Sequence, residues 1–377
     1  MRTKMRVRII RGVMASALSG LGLFALAGPL YANAQPKVEV VFCIDTTGSM
    51  GGLIEGAKQK IWGIANQIVS GKPTPALSIG LVAYRDFGDE YVTKIYQLDD
   101  DLDAVFEHLR SLSADGGGDT PEHVNRALYD AVRTVRWSGD PGALRLVFLV
   151  GDCPPHMDYG DGYDYREICK AAVQRDIVIN TVQCGEYLDT TSFWRDIAKR
   201  AEGSYASVAQ DGGMQVVETP FDAEIAALSA KLEDTRVPFG SRESIASSRT
   251  KKERTKEMIA DMAPAAAAER ASFKASGAGM GAEDLVRALE TGAVKIEALK
   301  DEELPEEMRG KTLKERETYL SAKEKERTAL SGKIETLSSK RNEYVASKLW
   351  ETGKPDSFDE VVKGFIGEQA AKKGIRY

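Results

Sequence analysis

Apolar positions between Val38 and about Val208 fall into two alternating patterns. Val38–Ile44, Leu77–Tyr84, Leu144–Val150 and Ile177–Gln183 are short, near-continuous apolar runs, as expected of strands buried on both faces. Leu53–Val69, Glu122–Val135, Tyr165–Arg175 and Thr191–Ala201, which separate these runs, repeat apolar residues at helical spacing. Strand and helix in alternation predict an α/β domain with a doubly wound, mostly parallel six-stranded sheet. Tyr91–Leu98 alternates more openly and follows its predecessor after a short Asp- and Gly-containing link, which predicts an antiparallel pair. A last helix from Pro220 to about Asp234 should close this domain, bounded at 37–239.

Beyond Phe239 the pattern changes. Charge rises, aromatics thin out, and Ala263–Gly281 is rich in Ala, Gly and Ser, so 240–283 reads as a linker. Residues 284–377 read as a helical region with coiled-coil character. In it Leu313, Leu320 and Ile334 form one seven-residue series and Leu330, Leu337 and Tyr344 another, interrupted by Arg327 and Arg341. The interruptions favour weak or no self-association, and the tail should fold apart from the first domain.

Residues 1–34 carry five basic groups and no acids, then an apolar small-residue run from Val13 to Leu30, then Ala32-Asn33-Ala34. This is the pattern of an export signal cleaved after Ala34, which places the mature protein in the periplasm or outside the cell. The whole chain has a formal charge of −6, so removal of those five basic groups leaves a body of −11. Such an acidic body has no footprint for nucleic acid, and no later run is long and apolar enough to span a membrane.

Candidate chemistry gathers where strands end. Cys43-Ile44-Asp45-Thr46-Thr47-Gly48-Ser49 sets one carboxylate and two hydroxyls at alternate positions past the first strand, and the fourth expected strand ends in Val150-Gly151-Asp152. Open α/β sheets bind ligands at that edge, and hard cations take oxygen donors of this kind. Between the two in sequence lies the oxygen-rich loop Gly116-Gly117-Gly118-Asp119-Thr120-Pro121-Glu122.

Together, D-x-T-x-S, the glycine-rich D-T-P-E loop and the strand-terminal Asp, in this order, resemble the metal-ion-dependent adhesion site of von Willebrand factor type A domains over about residues 37–235. The resemblance implies Mg²⁺ or Mn²⁺ held by Asp45, Thr47 and Ser49, with Asp152 mostly through water, and an open position for a carboxylate from a partner protein. The middle loop resembles that of the I-like domain in integrin β subunits, which implies Glu122 as the ligand ahead of Thr120. It also implies a second, Ca²⁺ site at Asp86, Asp119 and Glu122. The implied function is metal-dependent protein binding without catalysis. The alternatives are a metal-dependent hydrolase, or a structural envelope protein in which the metal only stabilises. Cys153 and His156 read as a loop contact with the metal face rather than nucleophile and base. Cys43 reads as a free core thiol, and the four cysteines permit up to two disulfides of unassigned connectivity, a Cys153–Cys184 pair being conceivable.

Overall fold

The computed structural model describes residues 35–277, 281, 283–353 and 357–377; the expected export signal lies outside them. Six strands form one sheet: β1 (Lys37–Asp45), β2 (Ala76–Tyr84), β3 (Thr93–Asp99), β4 (Leu144–Gly151), β5 (Ile177–Cys184) and β6 (Tyr205–Val208), in the order β3-β2-β1-β4-β5-β6. Only the β2–β3 pair is antiparallel. The chain goes to one side of β1 for β2 and to the other for β4, so β1 stands at the point where strand order reverses. Asp45 ends β1 and pairs in register with Tyr84, while Ile44 pairs with Val150.

On the faces of the sheet lie α1 (Gly51–Val69), α2 (Leu102–Arg110), α3 (Val124–Tyr129), α4 (Tyr165–Gln174), α5 (Leu188–Arg200) and α6 (Asp222–Asp234). The segment expected as one helix from Glu122 to Val135 is shorter and bent. After α3 it widens into a π turn over Asp130–Thr134, closed by Val135 N–H donating to Asp130 O at 2.9 Å. The cause is the buried Asp130 carboxylate, which accepts from Thr93 Oγ1 (2.8 Å), Thr134 Oγ1 (2.8 Å) and Arg126 Nε (2.9 Å). Two donors four residues away and one from β3 hold that side chain in competition with the regular helical turn.

The expected linker at 240–283 is instead mostly helix. It contains α7 (Arg242–Asp261) and α8 (Pro264–Ala275), followed by α9 (Leu285–Glu290), α10 (Leu313–Thr352) and α11 (Ser357–Ala371). Residues 35–377 form one compact unit. The alanines that suggested a linker, Ala265 to Ala268 and Ala271, are buried, because small side chains let α8 approach α1 and α6 closely. Phe273 packs against Trp62 of α1 with ring centroids 5.7 Å apart and planes tilted by 57°. Beside it Arg270, fully buried, donates to Asp103 from Nε (2.6 Å) and Nη2 (2.8 Å), to Glu233 (2.7 Å) and to Ser229 (2.9 Å). Lys274 adds a second cation 3.0 Å from Asp103. Burial works against the Asp103 charge, but Lys274 and Arg270 outweigh it and hold the carboxyl well below its usual range.

The two arginines expected to break the heptad series are contact residues. Leu320, Arg327, Ile334 and Arg341 form the buried stripe of α10 at seven-residue spacing. Arg327 donates to Asp284 (2.5 Å), Thr235 O (2.9 Å) and Thr235 Oγ1 (3.0 Å). Arg341 donates to Asp222 (2.7 Å) and Glu269. The stripe therefore faces its own chain.

Removing one partner of a buried pair strands the other charge, which costs about 3–5 kcal/mol. Arg270→Met should lower stability by that order in urea unfolding. A chain ended at residue 240 should lose Tm sharply, since Trp62, Asp103 and Glu233 lose their cover. A truncated chain that melts where the full chain does would show the helices to be an independent unit.

Candidate functional site

At the carboxyl edge of the sheet the chain turns sharply after Asp45. Thr47 donates to Asp45 Oδ1 twice, from its backbone N–H (2.9 Å) and from Oγ1 (2.7 Å), and Ser49 Oγ lies 3.5 Å from Thr47 Oγ1. Asp45 and Thr47 are buried and Ser49 is exposed. These bonds occupy one oxygen of Asp45. The other, Oδ2, is buried and has no hydrogen-bond partner among the described residues.

Asp152, one residue past β4, is anchored by Thr190 Oγ1 donating to its carbonyl (2.7 Å) and by Gln210 Nε2 donating to Oδ2 (2.7 Å). Its Oδ1 is likewise buried without a partner. Only glycine fits between the two strand ends: a Cβ at Gly151 would stand 2.5 Å from Tyr84 Oη and 2.8 Å from Asp45 Cβ.

The loop at 115–122 closes over this edge. Asp115 N–H donates to Thr46 O (3.1 Å), and Gly48 N–H donates to Gly116 O (3.2 Å). Gly117 adopts φ of +81°, and a Cβ there would meet Thr47 Cβ at 3.1 Å and Glu122 Oε1 at 3.3 Å, so Thr47 and the Glu122 carboxylate flank one glycine. The Glu122 backbone is clamped to the β4 loop, its N–H donating to Pro154 O (2.9 Å) and its carbonyl accepting from His156 N–H (3.1 Å). Glu122 is buried with Oε2 unpartnered among the described residues, whereas Thr120 is exposed.

Three carboxylates thus aim unpartnered oxygens into one edge. Arg85, in the turn after β2, donates to Thr46 O (3.1 Å) and Ser113 O (2.9 Å) and lies 3.8 Å from Glu90. Burial, with Asp152 adding to it, pushes Asp45 up to about 7 against the Thr47 hydrogen bonds. Burial, then Asp45, Asp86, Asp89 and Asp152, pushes Glu122 up to about 9. Burial and the Asp152 charge push the Cys153 thiol far up, which keeps it protonated and a poor nucleophile. All four cysteines are free, and Cys43 is buried as expected.

Asp86 and Asp119 do meet. The third residue whose ligand atom lies within 4.8 Å of theirs is His156. Asp89 accepts from the Asp86 N–H (3.2 Å) and the Gly117 N–H (3.2 Å). Tyr84, whose buried hydroxyl faces the carboxylates unpartnered, and Gln210 carried no sequence signal. An aromatic ending a buried strand reads as core, and a glutamine after the last strand belongs to no motif.

A family model described as von Willebrand factor A domain matches residues 39–220. Over 98 residues the chain is 37% identical to von Willebrand factor A domain-containing protein 7 of Rattus norvegicus, covering 26% of this chain and 10% of that protein. Over 176 residues it is 25% identical to an ariadne-like RING finger protein of Acanthamoeba polyphaga mimivirus, covering 42% of this chain and 17% of the other. The chain thus spans less than a fifth of either relative. A crystal structure of the conserved protein BatB from Bacteroides thetaiotaomicron aligns with a TM-score of 0.34 at 18% identity, over 46% of this chain and 90% of that one.

Asp45 and Glu122 retain protons in the folded state that the unfolded chain has lost above their ordinary values of 3.8 and 4.5. With cations chelated, stability should therefore fall as pH rises from about 4 through about 9. Asp45→Asn with Glu122→Gln should flatten that fall and make the chain more stable than wild type at pH 9 in EDTA. The gain should exceed about 1.4 kcal/mol, the worth of one pKa unit. Parallel melting curves of the two proteins across this range would show that the carboxylates are solvated and ionised throughout.

Proposed function

Starting from a von Willebrand factor A domain over residues 39–220, we propose that this protein is an exported, metal-dependent protein-binding module and not an enzyme. A Mg²⁺ or Mn²⁺ ion at the carboxyl edge of the sheet takes the acidic side chain of a partner as its last ligand. The observation that carries this reading is the group of buried, unpartnered oxygens Asp45 Oδ2, Glu122 Oε2 and Asp152 Oδ1 beside the Thr47 and Ser49 hydroxyls. Buried carboxylates without counterions call for a cation, and an all-oxygen set suits a hard one. Asp45, Thr47, Ser49 and Glu122 would hold the ion, with Asp152 mostly through water. Glu122 is preferred to Thr120 because it is the buried one.

The surroundings suit a protein partner. Phe87, Met157, Tyr187 and Leu188 are exposed at 54%, 40%, 45% and 82% and follow β2, β4 and β5 at this same edge. Apolar side chains around a charged centre are the composition of a recognition surface. The Cys153 thiol at this edge is held neutral, which argues against it as a nucleophile. Among the described residues no helix is long and apolar enough to cross a membrane. The proposed location, periplasmic or extracellular, rests on the basic and apolar start of the sequence.

Mg²⁺ or Mn²⁺ should raise the Tm of the full chain by mass action, and Asp45→Ala should abolish the shift. In titration calorimetry with Mg²⁺, Glu122→Ala should weaken binding at least tenfold and Thr120→Val by less than threefold; the reverse order would move the ligand to Thr120. Partner capture from an envelope extract should be lost with EDTA and with Asp45→Ala. Capture indifferent to both would overturn metal dependence.

A further inference from the structure

Next to the oxygen-lined edge is a group whose donor chemistry is different. His156 stacks on Tyr159 with ring centroids 3.9 Å apart and planes 18° apart, which fixes the imidazole. Its Nδ1 lies 2.8 Å from Asp158 Oδ1, a carboxylate able to accept a proton from Nδ1, so that Nε2 is the ring nitrogen open to a ligand. That Nε2 is buried and without a hydrogen-bond partner among the described residues, 3.4 Å from Asp86 Oδ2 and 3.7 Å from Asp119 Oδ2. Asp86 is organised in the same way. Tyr159 Oη donates to its Oδ2, while Oδ1 is buried and unpartnered. His156 and Asp86 are 7% and 5% exposed, and Asp119 comes from the solvent side at the tip of the glycine loop.

The geometry points to a second cation site at Asp86, Asp119 and His156, one that takes a nitrogen-preferring transition ion, Zn²⁺ above all, rather than Ca²⁺. A ring nitrogen is a poor ligand for Ca²⁺ or Mg²⁺ and a good one for Zn²⁺, and one nitrogen with two carboxylates leaves a fourth, open tetrahedral position. A carboxylate holding the far nitrogen of the ligating ring is the usual outer partner of a zinc histidine, and Asp158 occupies that place. Tyr159 serves both ligands, as stacking partner of one and hydrogen-bond donor to the other. The site is independent of the primary cation, since it uses none of Asp45, Thr47, Ser49 or Asp152.

The test uses the full chain stripped with chelator and titrated with ZnCl₂ by calorimetry, and with CoCl₂ by visible absorption, both in excess Mg²⁺ to fill the primary site. Wild type should bind one Zn²⁺, and Co²⁺ should give the d–d band of a low-coordinate site carrying nitrogen. His156→Ala should weaken Zn²⁺ at least tenfold and remove the band. Asp119→Asn, an exposed change that cannot unfold the chain, should weaken it similarly, and Asp158→Ala by about 10- to 100-fold. Asp45→Ala should leave Zn²⁺ binding as in wild type while losing the Mg²⁺ response, so either reading can fail alone. No stoichiometric Zn²⁺ binding by wild type, or equal affinity in the His156→Ala and Asp119→Asn variants, would overturn the proposal and leave His156 as a structural contact between the loops. Displacement of Zn²⁺ by millimolar Ca²⁺ would overturn its selectivity.

Discussion

Negative charge without a built-in counterion is the constraint around which the carboxyl edge of this sheet is organised. A buried carboxylate is tolerated when it is paired or well hydrogen-bonded, and in the helical layer the protein supplies the pair: Asp103, Glu233, Asp284 and Asp222 each face an arginine. At the edge the same chain leaves Asp45, Glu122 and Asp152 each with a buried unpartnered oxygen. Arg85 stands in the adjoining turn, yet its guanidinium is directed at backbone carbonyls. The contrast separates a site from a defect. Cations were available to the fold and were used for architecture, so the opening left at β1 and β4 suits a cation supplied from solution.

The glycines and loops at that edge follow from the same requirement. Gly151 lets Tyr84 and Asp45 close to within a distance that a methyl group would prevent, and Gly117 lets the 115–122 loop bring Glu122 beside Thr47. The bridge between Glu122 and Pro155 ties the same loop to the one carrying His156. One stretch of backbone therefore positions a ligand for each of the two proposed cations, and the imidazole in the second set gives it a different preference from the first.

Much of this was legible in the sequence, and what was not has a physical reason. Strands buried on both faces have a one-dimensional signature, so β1, β2, β4 and β5 could be read to within a residue or two, and strand ends in such a sheet converge, so Asp45 and Asp152 could be placed together. Glu122 could be preferred by resemblance to a known loop. The role of α8 could not be read, because an Ala-rich segment looks the same in a linker and in a tightly packed helix, and the partners that decide, Asp103 and Glu233, lie 167 and 37 residues from Arg270. Arg327 and Arg341 looked like breaks in a seam for the same reason. A charged residue at an apolar repeat position is a flaw only if nothing of opposite charge waits opposite it, and what waits opposite is set by tertiary structure. His156 belongs with them, since its meaning depends on Asp158 holding one nitrogen while Asp86 and Asp119 approach the other.

The placement of the chain's end bears on how such a site can work. Lys72 and Arg376 exchange two backbone hydrogen bonds (2.8 and 3.0 Å), and Tyr377 Oη donates to Ile68 O at 3.1 Å. Both contacts lie where α1 ends and β2 begins, at the amino edge of the sheet, opposite Asp45. Gln369 exchanges side-chain hydrogen bonds with Asn180 within β5 (3.0 and 2.7 Å). The C-terminal helices therefore brace the helix-covered face and the far edge, leaving the carboxylates and the apolar side chains around them uncovered by these contacts. Capture of a partner as proposed would then need no displacement of the tail, whose buried arginines tie α8 and α10 to the helices beneath them. On that reading, the strand ends carrying the carboxylates must keep their spacing before a cation arrives, and the clasp on the opposite side restrains them.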